Sequence, residues 1–357
     1  MKTMKTMKTI KTIKTMKLTM IMLVIILTGC MKDNPAPISS SSLYDNGYFV
    51  TNEGQFMSGN GSISFVNSNG NVENNIFEYT NGFPLGDVVQ SMNIIGDKAY
   101  IVVNASGRVE VVSADSMSHI TTINLGSPRY ITSASLNKAY VSDWNINGVQ
   151  VIDLLTHEVT STISCGVGPE AILVNNGYAY VCNVGGWSLD NTISVIDVNT
   201  DIVVNTISVG DKPNSLVVDA NGAIWVLSGG YTEYDPNDWS VISQTAGSLV
   251  KIVDDVVEKT LIFSVGESPK DLLIDESGTK LYFSNNGVFT MNISDSQLPT
   301  TSLINRNFYG LGNSSGYIYG TNAGDYVNAG YSVRYTENGT LLDSIQVGVA
   351  PGGYFFN

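Results

Sequence analysis

The sequence predicts an all-β protein, a seven-bladed β-propeller closed by pairing of the C-terminal strand with the N-terminal blade, and three observations predict it. Proline recurs at Pro84, Pro128, Pro169, Pro213, Pro269 and Pro351, with gaps of 44, 41, 44, 56 and 82 residues. The last gap is twice 41, and Phe308-Tyr309-Gly310-Leu311 occupies the skipped position. Between these anchors run short segments alternating apolar and polar residues, the period-2 signature of half-buried strands, with no convincing amphipathic helix. Finally, the chain ends in an inner strand that lacks a sequel, Pro351-Gly352-Gly353-Tyr354-Phe355-Phe356-Asn357, while Gly47 opens a second strand that lacks a predecessor. Joining the two in one blade removes two exposed sheet edges. Units of roughly 41 to 44 residues with four strands suit a blade better than a β-helix coil.

One strand type repeats in register as Gly47-Tyr48-Phe49-Val50, Lys98-Ala99-Tyr100-Ile101, Lys138-Ala139-Tyr140-Val141 and Tyr178-Ala179-Tyr180-Val181. It continues as Ala223-Ile224-Trp225-Val226, Lys280-Leu281-Tyr282-Phe283 and Tyr317-Ile318-Tyr319-Gly320. The aligned aromatics Phe49, Tyr100, Tyr140, Tyr180, Trp225, Tyr282 and Tyr319 read as blade-to-blade packing rather than a ligand ladder, because in-register repetition is how radial arrays fill their core. The next strand follows at Ser62 to Val66, Val109 to Val112, Val149 to Asp153 and Ile193 to Asp197, with weaker copies at Leu249 to Val253, Val288 to Ile293 and Ser332 to Tyr335.

Upstream of the repeats, residues 1–29 read as a lipoprotein signal peptide. Lys2, Lys5, Lys8, Lys11, Lys14 and Lys17 precede an apolar stretch, Leu18 to Leu27, too short to span a bilayer permanently. The stretch ends in Leu27-Thr28-Gly29-Cys30, which resembles the bacterial lipobox and makes Cys30 the lipidation site. Met31-Lys32-Asp33 resembles the signal that exports lipoproteins to the outer face of the outer membrane. Residues 30–42, rich in Pro and Ser, form a flexible tether, leaving 43–357 for the propeller. The repeated Met-Lys-Thr start leaves the initiator methionine open.

The whole chain carries a formal net charge of −14, and loss of the six leader lysines leaves 12 basic against 32 acidic groups, or −20. Phosphate neutralisation needs a basic face, so nucleic acid is excluded as a partner. Cys165 and Cys182 do not make a disulfide framework and read as buried free thiols.

In a four-stranded blade the loops from second to third strand, and from the outer strand to the next blade, emerge on one face. The long loops of that face carry Phe56, Trp144, Trp187 and Tyr326, and the longest, Gly229 to Gly247, carries Tyr231, Tyr234 and Trp239. Tyr and Trp offer large contact area for little rotamer entropy, so these side chains are candidate ligand-binding residues, although long loops also use aromatics to pin themselves down. The corners after the prolines add Arg129, Tyr130, Glu170, Asn214 and Lys270, expected at the mouth of the central channel as ligand contacts or as solvated rim charges.

Catalytic constellations are mostly missing. His119 and His157 fall in hairpins of the opposite face, so neither a His-based triad nor a zinc site assembles on the aromatic face. Asp235, Asn237 and Asp238 read as an acidic turn rather than a Ca²⁺ loop. Glycines fall in turns, with no phosphate-binding loop, so no metal or cofactor is expected. Paired carboxylates brought together by the ring stay open.

The repeat Ile193-Ser194-Val195-Ile196-Asp197-Val198-Asn199-Thr200, followed by Thr206-Ile207-Ser208-Val209-Gly210, resembles the YncE-type and surface-layer propeller repeat, which marks fold and not activity. The first blade, Val50-Thr51-Asn52-Glu53-Gly54-Gln55-Phe56 and then Gly59 to Ser64, together with the lipobox, is similar to BtuG-type surface lipoproteins. That resemblance implies vitamin B12, a corrinoid, held on the aromatic loop face and handed to a TonB-dependent outer-membrane transporter. A glycan-binding or adhesive surface-layer module and a propeller lactonase or other hydrolase are the alternatives.

Overall fold

The computed structural model describes residues 43–356, and the signal peptide, Cys30 and the whole of the tether, residues 30–42, lie outside them. Among the described residues, seven sheets are arranged as propeller blades, numbered here in chain order, and an eighth is a separate two-stranded hairpin. Blade one pairs Pro351–Phe356, Gly47–Asn52, Ser62–Asn67 and Val72–Glu73 from the channel outward, so the last strand closes the ring. Blades two, three and four follow with inner strands Val89–Ile95, Pro128–Ser135 and Pro169–Asn175. Blades five, six and seven begin at Pro213–Val218, Lys270–Ile274 and Leu311–Ser314.

Second strands are buried on both faces, as in Lys98–Val103 and Lys138–Asp143, because each sheet is sandwiched between two others. The apolar residues therefore divide into separate clusters, one at each junction between neighbouring blades. Phe49, Tyr100, Tyr140, Tyr180, Trp225, Tyr282 and Tyr319 each enter a different cluster and are 0 to 8 % exposed, so the column packs blades together. Its hydroxyls also staple the ring: Tyr140 donates to Asp201 and Tyr180 to Asp255, each carboxylate lying in the outer hairpin of the following blade. The two cysteines among the described residues are free; Cys182 is buried, while Cys165 is only partly so.

Four expectations need correction. Pro84 stands in the connection before blade two, and Val89 takes the strand-opening position that Pro128, Pro169, Pro213 and Pro351 hold in their blades. A short helix, Ile76–Asn81, appears where no helix is expected. The outer strand of blade one is only two residues long, and the helix buries Ile76 and Phe77 in the cluster that strand leaves open. Blade six has three strands among the described residues; the segment 293–310 replaces the fourth, touching the sheet edge through a bridge between Val288 and Ile304. The 56-residue proline gap holds an extra hairpin, Thr232–Tyr234 with Val241–Gln244.

At Gly310 the missing proline has a steric reason. A Cβ there would lie 1.9 Å from the carbonyl oxygen of Gly352, where the closing strand passes.

Candidate functional site

The inner strands do more than line the channel. In six blades the pairing of inner and second strand slips at its first residues, and the slips fall beside Gln90, Arg129 and Tyr130, Glu170 and Ala171, Asn214, Asp271 and Leu272, and Gly352. A β-bulge leaves extra residues unpaired and re-aims their side chains. Every residue so displaced lines one cavity of about 590 Å³ at the channel mouth. All seven blades contribute to its wall, blade seven through Tyr309 and Leu311. The corner residues Arg129, Tyr130, Glu170, Asn214 and Lys270 thus come together as expected from the sequence.

Left-handed backbone marks the same rim. Val88, Lys212 and Ala350, each directly preceding an inner strand, have φ of 58°, 55° and 48°. For the β-branched Val88 this is a strained conformation. Its N–H donates to the Glu53 carbonyl (3.0 Å) and its carbonyl accepts from Asn104 (2.8 Å), which holds it there.

Charge in the cavity is paired. Arg129 donates to both Glu170 oxygens, Nε at 2.9 Å and Nη2 at 2.8 Å, with only 15 % and 9 % of the two side chains exposed. Its guanidinium also lies 4.2 Å from the centroid of the Trp144 ring. Burial opposes the Arg129 charge, but Glu170 outweighs it and holds the guanidinium above its ordinary pKa. Across the mouth, Tyr309 donates to Glu53 (2.9 Å), and its backbone carbonyl accepts from Lys270. Burial pushes the Glu53 carboxyl up, partly countered by the Tyr309 hydrogen bond and by Arg129 and Lys270. It pushes the Asp271 carboxyl up too, against Lys270.

The aromatic residues form three groups on the loop face. Trp144, on a single 3₁₀ turn (Trp144–Ile146) that Asp143 caps, meets the fully exposed Trp187 edge-on at 6.1 Å. Tyr326 meets Tyr309 edge-on at 5.4 Å. Tyr234 and Trp239 lie 6.5 Å apart on the extra hairpin. Lys212 ties two loops together: Nζ donates to Ser188 (2.9 Å) and Val184 (3.3 Å) carbonyls and sits 5.5 Å from the Tyr231 ring. Phe56 is exposed and has no ring contact among the described residues. Sequence reasoning therefore overlooked Glu53, Gln90, Lys212, Asp271 and Tyr309. Tyr309 alone carried a signal, its place beside Gly310 at the skipped repeat position.

The histidines belong to the other face. His119 meets Glu110 and Thr122 at 3.1 Å each, and burial lowers the pKa of His157. Among the described residues no three His, Cys, Asp or Glu side chains are grouped to hold a metal ion. Asp235 accepts from the Asn237 amide at 2.8 Å and closes a turn, as expected.

The sequence matches the family described as "Domain of unknown function (DUF5074)" over residues 46–245. No curated protein matches it. Among solved structures, a quinonprotein alcohol dehydrogenase-like protein from Bacteroides thetaiotaomicron superposes with a TM-score of 0.63 at 16% identity, covering 88% of this chain and 78% of that one. The periplasmic gluconolactonase of Pseudomonas aeruginosa gives 0.58 at 12% identity, covering 87% and 98%. A putative 6-phosphogluconolactonase from Bacteroides uniformis gives 0.57 at 13% identity, covering 88% and 100%. Likeness at these identities shows the propeller fold alone.

Proposed function

The chain belongs to the DUF5074 family, and from that premise we propose that it is a capture protein. It binds a broad, polar-edged small molecule, a corrinoid, over the channel mouth and passes it on without chemical change. The supporting observation is the convergence of bulged residues from six blades, joined by Tyr309, on one cavity of about 590 Å³. Sites for small molecules are concave, with a few placed polar groups among apolar walls. Here Gln90, Asn214 and the paired charges supply hydrogen bonds for amide arms, and the Arg129–Trp144–Trp187 stack and the Tyr309–Tyr326 pair offer flat apolar surface on two sides. With two cations, Arg129 and Lys270, against three carboxyl groups, Glu53, Glu170 and Asp271, the mouth has no surplus cation and suits a neutral ligand better than a polyanion.

We further propose that the protein is lipidated at Cys30, sits on the outer face of the outer membrane and delivers its ligand to a TonB-dependent transporter. The lipobox, the Lys32-Asp33 signal and the resemblance of the first blade to BtuG-type lipoproteins support this reading.

Calorimetric titration with cyanocobalamin tests the ligand. A saturable complex is expected, weakened about tenfold or more by Trp144→Ala and by Trp187→Ala. Absence of heat at micromolar cobalamin ends the corrinoid reading; binding on a glycan array, or turnover of a sugar lactone, would then assign the mouth to one of the alternatives.

A further inference from the structure

Tyr130 lines not only the mouth but also a second cavity of about 340 Å³ bounded mainly by the inner strands of blades one to four. Gln90, Tyr130, Ala171 and Gly352 belong to both walls. The chemistry changes between them. The mouth presents Arg129 and Lys270 with Glu53, Glu170 and Asp271, whereas the lower wall has no charged side chain. It alternates Thr51, Ser91, Asn93 and Thr132 with apolar residues such as Met92 and Ile172.

Several of its polar groups are already committed. Ser91 Oγ donates to the Arg129 carbonyl (2.7 Å), Asn93 Nδ2 donates to the Ile131 carbonyl (3.0 Å), and Gln90 bonds the Tyr130 hydroxyl. Thr51 differs: it is 1 % exposed and its Oγ1 has no hydrogen-bond partner in the protein. A buried hydroxyl left unmatched in the wall of a cavity calls for a guest. The cavity far exceeds the roughly 10–15 Å³ that a single water needs.

We propose that this lower compartment is a second binding site that takes an uncharged, hydrogen-bonding chain, an amide- or hydroxyl-bearing arm of the molecule held above it. The proposal rests on the mouth being the ligand's way in. A charged arm is excluded because the lower wall holds no counter-ion to offset its desolvation. Thr51, Thr132 and the Tyr130–Gln90 pair are its polar contacts, and Ala171 keeps the neck open.

Saturation-transfer NMR on the full chain with propionamide, propionate and propylammonium separates the compartment from the mouth. Propionamide is expected to bind with Kd on the order of 1–10 mM, with each charged analogue at least fivefold weaker. Thr51→Val and Thr132→Val, both shape-preserving, should each weaken propionamide at least threefold, and Ala171→Leu should abolish its signal. Thermal melts of each variant establish that it folds. Equal signals from propionate, or Thr51→Val binding like the parent, overturn the proposal. If cobalamin fails to bind while propionamide still responds to Thr51→Val, the compartment stands and the corrinoid reading falls; if cobalamin binds and propionamide does not, the compartment alone is refuted.

Discussion

Replacing Arg129 by Leu strips Glu170 of its one ion-pair partner among the described residues while leaving the carboxylate where water hardly reaches, since the residue is 7 % exposed. Two hydrogen bonds of 2.8 and 2.9 Å vanish with the guanidinium, and so does its contact with Trp144. Removing one partner of a buried pair costs about 3–5 kcal/mol, because the penalty is the stranded charge rather than the lost attraction. With an unfolding entropy of about 2.1 cal/mol/K per residue, a domain of this size loses roughly 1.5 °C of Tm per kcal/mol, so a drop of roughly 5–8 °C is expected. Adding Glu170→Leu in the same chain removes the stranded charge and should return most of that loss, giving a coupling energy above about 2 kcal/mol. Urea unfolding at pH 7 of the parent, both single variants and the double variant measures the cycle. A single-variant loss below about 1 kcal/mol, or a double variant as unstable as Arg129→Leu, would refute the assignment of this pair as buried and mutually dependent.

Further predictions follow from other parts of the ring. Gly310→Ala sets a Cβ against the Gly352 carbonyl at 1.9 Å, a backbone contact with little room to yield, and should cost about 3 kcal/mol or more in urea unfolding; a loss under 1 kcal/mol would show that the closing strand gives way. Tyr140→Phe removes the hydroxyl from Asp201, which also accepts from Lys138 at 2.6 Å, and should lower stability by about 1.5 kcal/mol, roughly 2 °C of Tm. The Asp271 carboxyl has a raised folded pKa, so its contribution is complete below the unfolded value of about 4 and is lost as pH rises through the folded one. Asp271→Asn, tolerated at φ 57°, should therefore be more stable than the parent at pH 7 and no different at pH 3.5. Chemical denaturation at the two values checks the sign.

The ring was legible because repetition amplifies a weak signal: one strand centred on an aromatic says little, but seven aromatics in register mark the second strand of every blade. The closing strand was legible for the same reason, since an inner strand without a sequel and a second strand without a predecessor complete each other. The rim residues after the prolines were legible as a column, yet their convergence was not, because a bulge is a slip in pairing and the partners that flank it lie roughly 9 to 15 residues away, on another strand. Gln90 and Asp271 escaped for that reason. Glu53 and Tyr309 escaped because their contact spans 256 residues, a distance no local pattern carries. Blade six lost its outer strand to an irregular segment whose Leu298, Leu303 and Ile304 still pack against the core, so its hydrophobicity mimicked a strand.

Ring closure by Pro351–Phe356 has a bearing on how the molecule is made. Blade one lacks its innermost strand until that segment has been synthesised, so an emerging chain carries an unfinished sheet throughout most of its production. Bringing together segments about 300 residues apart costs about 5 kcal/mol of chain entropy, and contacts of such long range form slowly. Docking of this short, aromatic-rich ribbon is the event that completes blade one, and any delay in it prolongs the exposure of the unpaired edge of Gly47–Asn52.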